Sequence, residues 1–108
     1  MIVVTTPDVP GFRITETCGL VRGSSIRTRH IGRHFVAVLR TAAGGEVKEY
    51  TTMLAEAREQ AIDRMVEEAQ ALRADAVVCV RFQTAEVLAA AAEMLCYGTA
   101  VRMEAEPG

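Results

Sequence analysis

Glu16 and Cys18 lie two residues apart in an alternating stretch, a spacing that places both side chains on one face of a strand. Ile14 and Leu20 flank them on that face, so the carboxylate needs a partner, because burying a bare charge is expensive. A thiol and a carboxylate that converge can bind a soft metal ion or form a reactive-thiol site. We therefore take Glu16 and Cys18 as candidate metal ligands. The alternative is an ion pair between Glu16 and an arginine of a neighbouring subunit, with Cys18 as a small core residue.

His30 and His34 are four residues apart in a stretch with helical periodicity, so their rings would share one helix face at a spacing that zinc sites use. Two ligands do not complete a site, and a third would have to come from Glu46, Glu49 or another subunit. The glutamate of an HExxH motif is absent, because Ile31 follows His30. The pair is a second candidate metal site, and the alternative is two histidines that face solvent or a partner.

The basic residues of the chain are concentrated in its first half. Residues 1–45 carry a formal charge of +4 and residues 46–108 a charge of −6, although the net charge is only −2. The arginines of the basic half are Arg13, Arg22, Arg27, Arg29, Arg33 and Arg40. With the turn-like Gly23-Ser24-Ser25, most of them could bind a small anion, whereas 5% aromatic residues argue against nucleic acid. The preferred interpretation is that these arginines pair with the glutamate-rich helix of another subunit.

The sequence carries no specific catalytic or disulfide pattern. The chain has three cysteines, Cys18, Cys79 and Cys96, and no two of them have CxxC spacing, so reduced thiols are expected. Cys79 and Cys96 are assigned to packing. Neither GxGxxG nor GxxxxGK occurs. We predict that the protein is not an enzyme, with a cysteine-dependent enzyme or thiol sensor built on Cys18 as the remaining alternative.

Length and composition predict a single domain over residues 1–108. A chain of 108 residues with 50% hydrophobic residues can bury an ordinary core without disulfides. No apolar run approaches the roughly 20 residues that a membrane-spanning helix needs, so a cytoplasmic location is expected.

Hydrophobic periodicity predicts an α+β subunit whose three-stranded antiparallel sheet is covered on one face by helix. A short strand precedes Pro7, and a longer strand over 12–21 is broken at Arg22–Ser25. Thr28 would cap a first helix that ends at Gly44-Gly45, and a second helix starts at Thr51 or Thr52. Two strands follow, over 76–82 and 94–103, with the helix formers of 86–93 as a connection. The second helix is expected to bury one stripe, formed by Leu54, Ala57, Ala61, Met65, Ala69 and Leu72.

Five segments carry a further pattern when they are taken in order. They are TTP at 5–7, ETCGLVRG at 16–23, ARE at 57–59, ADAVV at 74–78 and GTAV at 98–101. In this series the chain resembles the YbjQ family of small bacterial and archaeal proteins, for which heavy-metal binding has been suggested. The resemblance implies a β-α-β-β subunit, similar to a dodecin subunit, that assembles into a ring, typically a homopentamer or a dimer of pentamers. Ile2-Val3-Val4 would then suit a strand that adds to a neighbouring subunit.

Two departures from the family pattern limit what the resemblance implies. Arg73 stands where the family usually has glycine after the main helix, which predicts a strained or reshaped helix end. Cys79, Arg81 and Gln83 stand where family members often carry glycine and then acidic residues, which puts a metal site built on those carboxylates in doubt.

Two leading hypotheses about function follow. The first is a non-enzymatic homo-oligomeric binding module in which Glu16 and Cys18 contribute to a composite heavy-metal site. The second is a structural or interaction scaffold that binds no small ligand.

Overall fold

A computed structural model describes residues 1–28, 45–88 and 91–107 of the chain. The elements are β1 (Ile2–Val3), β2 (Phe12–Thr28), α1 (Gly45–Ala71), β3 (Ala76–Leu88) and β4 (Ala91–Ala105). The strands form one sheet in the order β1-β3-β4-β2, in which β1 is parallel to β3 and the other pairs are antiparallel. The α+β class is confirmed, but the sheet is four-stranded and mixed rather than three-stranded and antiparallel.

The fourth strand is the N-terminal β1, which we expected to add to a neighbouring subunit. In this chain it pairs with β3, with Ile2 opposite Ala76 and Val3 opposite Val77. The pairing continues beyond β1, because Val4 donates its amide to the Val77 carbonyl at 2.9 Å and accepts from the Val80 amide at 3.1 Å. The β-branched residues thus satisfy the free edge of β3 within their own chain.

β2 is continuous through Thr28, so the predicted break at Arg22–Ser25 is wrong. Small residues indicated a turn there, but they instead allow α1 to approach the sheet. A Cβ on Gly23 would clash with the backbone of Ala61 and Met65. Thr28 is the last residue of the strand. The first predicted helix falls on residues 29–44, outside the described residues.

α1 begins at Gly45, six residues before the predicted start at Thr51, and buries the predicted stripe. Ala57, Ala61, Met65 and Ala69 are at most 1% exposed, as the helical period requires. Leu54 is half-buried, and Leu72 is 42% exposed because the helix has ended at Ala71. On the sheet side of this core, Val21 of β2 is also fully buried.

The reshaped helix end predicted at Arg73 is confirmed. Arg73 has φ +58°, its amide donates to the Gln70 carbonyl at 2.9 Å, and the Ala74 amide donates to the Ala69 carbonyl at 3.1 Å. These two bonds form a Schellman motif with Arg73 at the left-handed position, where glycine is usual. The chain therefore turns sharply from α1 into β3.

β3 and β4 extend further than periodicity predicted. β3 continues to Leu88 and β4 starts at Ala91, so most of the predicted connection at 86–93 is strand. Cross-strand pairing along the sheet overrides the helix propensity of these residues. β3 also contains a bulge, since the register shifts between Val78 and Arg81 and Cys79 adopts φ +55°.

The two faces of the sheet have different environments. The face covered by α1 carries the main core, which is Val21, Ala57, Ala61, Met65, Ala69, Val77, Val80, Met94, Cys96 and Ala100. The opposite face carries a smaller cluster around Ala76, Val78 and Val101, against which Val9 and Ile14 pack. Among the described residues, this cluster covers only part of the second face.

Candidate functional site

Glu16 lies on the surface of the subunit rather than in a buried site. Its carboxylate is 3.5 Å from the Nε of Arg102 on β4, and the two side chains are 60% and 45% exposed respectively. The expectation of a shared face with Ile14 is wrong, because β2 shifts register between Ile14 and Glu16 and again between Thr17 and Gly19. Each bulge breaks the alternation on which the expectation rested.

Cys18 is half-buried and packs against the α1 side of the core, whereas Ile14 packs on the opposite face. Within the described ranges 1–28, 45–88 and 91–107, no group of three or more His, Cys, Asp or Glu residues is arranged to bind a metal ion. Among the described residues, Glu16 and Cys18 therefore provide at most a partial ligand set.

The other predicted site residues are only partly within the described structure. His30 and His34 lie outside it, as do Arg29, Arg33 and Arg40. The anion hypothesis assumed a turn at Gly23-Ser24-Ser25, and this assumption is wrong because these residues lie in β2. The hydroxyl of Ser25 is buried and donates to the Ala57 carbonyl of α1 at 2.7 Å.

Part of the sheet face opposite α1 is open and apolar. Leu20 is 65% exposed, Ile26 57% and Tyr97 36%, and the strand registers place all three on this face. Arg22 and Arg81 pair with Tyr97 from the two neighbouring strands, so an arginine lies on each side of the ring. Below, "open face" means Leu20, Arg22, Ile26, Arg81 and Tyr97.

The guanidinium of Arg81 is held in place by the N-terminal segment. Its Nη1 donates to the Thr5 carbonyl at 2.9 Å and to the Val80 carbonyl at 2.8 Å. Neither contact neutralises the positive charge, since both acceptors are uncharged carbonyl groups. Arg81 therefore remains a charged group at the edge of the open face.

The outward side of α1 is acidic. Glu56, Glu59, Asp63 and Glu67 are all exposed, and their spacing puts them diametrically opposite the buried stripe. The first three also line a shallow hollow together with Thr51, Thr52, Ala55 and Gln60. Below, "acidic stripe" means Glu56, Glu59, Asp63 and Glu67.

Sulfur atoms meet in the core between α1 and the sheet. The Cys96 thiol on β4 lies 3.5 Å from the Met65 thioether on α1, and both residues are fully buried. Burial raises the pKa of the Cys96 thiol above its ordinary value, because the thiolate would lose its hydration. Sequence reasoning assigned Cys96 to packing alone, since nothing in the local spacing signals a partner 31 residues away.

Comparison with known proteins identifies the family. A family model described as "Putative heavy-metal-binding" matches residues 1–104, nearly the whole chain. The chain belongs to the YbjQ family. Relatives named UPF0145 proteins are 53% identical in Methanosarcina acetivorans and 48% identical in Thermotoga maritima. The alignments cover 95% of this chain and 97% of the first relative, and 96% of this chain and 98% of the second.

A solved structure is similar in fold. The protein of unknown function from Pediococcus pentosaceus, assigned to the DUF74 family, superposes with a TM-score of 0.66 at 18% identity. The superposition covers 96% of this chain and 98% of that one, so the YbjQ chain shares its architecture. In the described part of the chain no helix is both long and apolar enough to cross a membrane.

Proposed function

We propose that this YbjQ chain is a non-enzymatic, cytoplasmic subunit of a homo-oligomeric ring, a pentamer or a dimer of pentamers, that binds heavy metal at a composite site between subunits. The observation that carries the proposal is the open face. Three large apolar side chains in one patch of a small domain are typical of a protein interface. An interface that buried them would remove this patch from water.

Charge supports a second copy of the chain as the partner. Arg22 and Arg81 give the open face a positive rim, and the acidic stripe gives the outer side of α1 the opposite charge. Docking the acidic stripe of one subunit on the open face of the next is a head-to-tail contact. Such a contact closes into a ring when its rotation divides the circle evenly.

The metal site of this proposal uses incomplete ligand sets on separate subunits. Cys18 offers a half-buried thiol and Glu16 an exposed carboxylate, and a soft or borderline metal ion accepts both donor types. A second subunit would supply the remaining ligands. Glu16 would have to exchange its pairing with Arg102 for the metal, an exchange that costs little at an exposed ion pair.

A scaffold that binds no metal is the second candidate, and one observation favours it. Glu16 already has an ionic partner in its own chain, Arg102, so its charge does not require a metal. In this alternative the open face and the acidic stripe serve assembly alone.

Native mass spectrometry of protein purified without chelator or affinity tag tests both parts of the proposal. We expect a pentamer or decamer with added metal mass, and we expect the metal bound between subunits to be lost in Cys18→Ser and reduced in Glu16→Gln while the ring persists. Rings without metal would support the scaffold instead. A monomer at micromolar concentration would overturn the assembly on which both candidates depend.

A further inference from the structure

We propose that Cys96, Met65 and Met94 form a separate site within each subunit for a soft monovalent metal ion, Cu(I) or its analogue Ag(I). The proposal extends the metal-binding part of the proposed function. It needs neither the ring nor the ligands Glu16 and Cys18, so the two sites can fail independently.

Two of the three donor atoms are already in contact, because the Cys96 thiol donates a hydrogen bond to the Met65 thioether. Cys96 Sγ and Met65 Sδ are 3.5 Å apart, whereas two sulfurs of a trigonal site lie about 4 Å apart if each metal–sulfur bond is about 2.3 Å. The pair therefore needs to open by only about half an ångström to admit the ion. Rotation about the flexible Met65 side chain can provide this movement.

Met94 is the third donor because of its place on β4. It lies two residues before Cys96, so both side chains project from the same face of the strand toward α1. Met94 is 6% exposed and belongs to the same core cluster as Cys96 and Met65. Its sulfur is held at one side by the Thr84 hydroxyl, which lies 3.4 Å from it.

The chemistry of the three donors selects the class of metal. Thiolate and thioether sulfur are soft ligands that favour Cu(I). One thiolate and one monovalent cation also give a neutral pair, which avoids the large cost of burying a net charge. A divalent ion such as Zn²⁺ would leave a net positive charge in this apolar core and would lack its preferred number of thiolate or imidazole ligands.

Binding at this site is a proton exchange. Before metal binds, the Cys96 thiol is protonated, and burial, which raises its pKa, keeps it so. On binding, the S–H bond breaks, the sulfur–metal bond forms, and the proton passes to solvent. No oxidant or reductant takes part in this step when the metal arrives as Cu(I) or Ag(I).

A titration of Cu(I) in the absence of oxygen, in competition with a chromogenic Cu(I) chelator, tests the site. The starting variant is Cys18→Ser/Cys79→Ser, in which Cys96 is the remaining cysteine. We expect this variant to bind one Cu(I) per chain and to show an ultraviolet thiolate-to-copper band. Adding Cys96→Ser should remove both the bound ion and the band.

Met65→Leu in the same background distinguishes a ligand from a core residue. Leucine has nearly the same volume as methionine, so the fold is retained while the thioether is lost. We expect Cu(I) affinity to fall at least tenfold, and Met94→Leu to weaken it in the same direction. Met103→Leu is the matched control, because Met103 packs on the opposite face of the sheet and should leave affinity unchanged.

Two results would overturn the site. One is a Cys18→Ser/Cys79→Ser protein that stays folded and binds no Cu(I). The other is unchanged affinity in Met65→Leu, which remains decisive even where the Cys96 variant does not fold. If Cys18→Ser rings lose the intersubunit metal but still bind metal at Cys96, both sites are supported. If Cys18→Ser removes metal and Cys96→Ser removes none, only the intersubunit site is supported.

Discussion

In the described part of the chain, two residues with side chains occupy backbone conformations that normally belong to glycine. Arg73 has φ +58° in the Schellman turn after α1, and Cys79 has φ +55° in the bulge of β3. For a non-glycine residue this conformation costs roughly 1–2 kcal/mol. The surrounding hydrogen bonds hold both residues there: the Cys79 amide, for example, donates to the Thr6 carbonyl at 3.0 Å.

Replacing Arg73 by glycine should stabilise the fold. Arg73→Gly removes the strain of the left-handed conformation, so we expect the free energy of unfolding to rise by about 1 kcal/mol. Arg73→Ala is the control, since it removes the charge but retains the Cβ that causes the strain. Urea unfolding at one fixed protein concentration measures the difference. Equal stabilities of the glycine and alanine variants would contradict the assigned strain.

Residue-level reasoning from sequence was accurate where the cause is local and failed where it is not. The reshaped helix end at Arg73 was predicted from the resemblance, because the family usually has glycine at this position and this chain has arginine. The exposure of Glu16 could not, because it depends on two bulges that alternation does not reveal. The contact between Cys96 and Met65 joins residues 31 apart, which only the packing of α1 on β4 brings together.

At the scale of elements, the packing of α1 on the sheet depends on the small residues of β2. Gly23 lets the helix backbone come close, and the buried Ser25 hydroxyl donates to the Ala57 carbonyl. The Arg64 guanidinium also donates to the Ser24 carbonyl, which fixes the helix along the strand. Three successive residues of one strand thus hold one face of α1.

Gly23→Ala should therefore destabilise the protein strongly for a one-carbon change. The added Cβ would meet the Ala61 carbonyl oxygen and the Met65 amide nitrogen, and would lie 2.9 Å from the Arg64 Cβ. Because two of these are backbone atoms, α1 must shift, and we expect a loss of about 1–3 kcal/mol. Thermal and urea unfolding measure it. Ser24→Ala, at the next position, should cost much less, and a similar cost for both would argue against close packing at Gly23.

Elements of this fold were predictable where periodicity is strong. The buried stripe of α1 repeats every three to four residues, and the alternation of apolar residues identified β2 and β4. Their ends were not predictable, because Gly23-Ser24-Ser25 has the composition of a turn and 86–93 that of a helix. Pairing with neighbouring strands decides both cases, and one sequence window contains no information about that pairing.

At the scale of the whole molecule, charge and apolar surface lie on opposite sides. The acidic stripe is on the outer side of α1, and the open face with Arg22 and Arg81 is on the far side of the sheet. Arg22 belongs to the basic half of the sequence, residues 1–45, whereas Arg81 and the acidic stripe both belong to the acidic half, residues 46–108. The fold, rather than the order of charges along the chain, places Arg22 and Arg81 on one side of the subunit and the acidic stripe on the other.

Leu20→Glu tests whether the open face is the assembly interface. Leu20 is 65% exposed in the single chain, so the substitution should leave the subunit folded. Burying leucine in an interface contributes roughly 1.5–3 kcal/mol, and the added carboxylate would face the acidic stripe of the neighbour. We expect association at least tenfold weaker per contact, seen as dissociation toward monomer in sedimentation equilibrium. Leu72→Glu is the matched control, because Leu72 is also exposed, at 42%, but lies beyond the end of α1. Intact rings in Leu20→Glu, or dissociation only in Leu72→Glu, would place the interface elsewhere on the subunit.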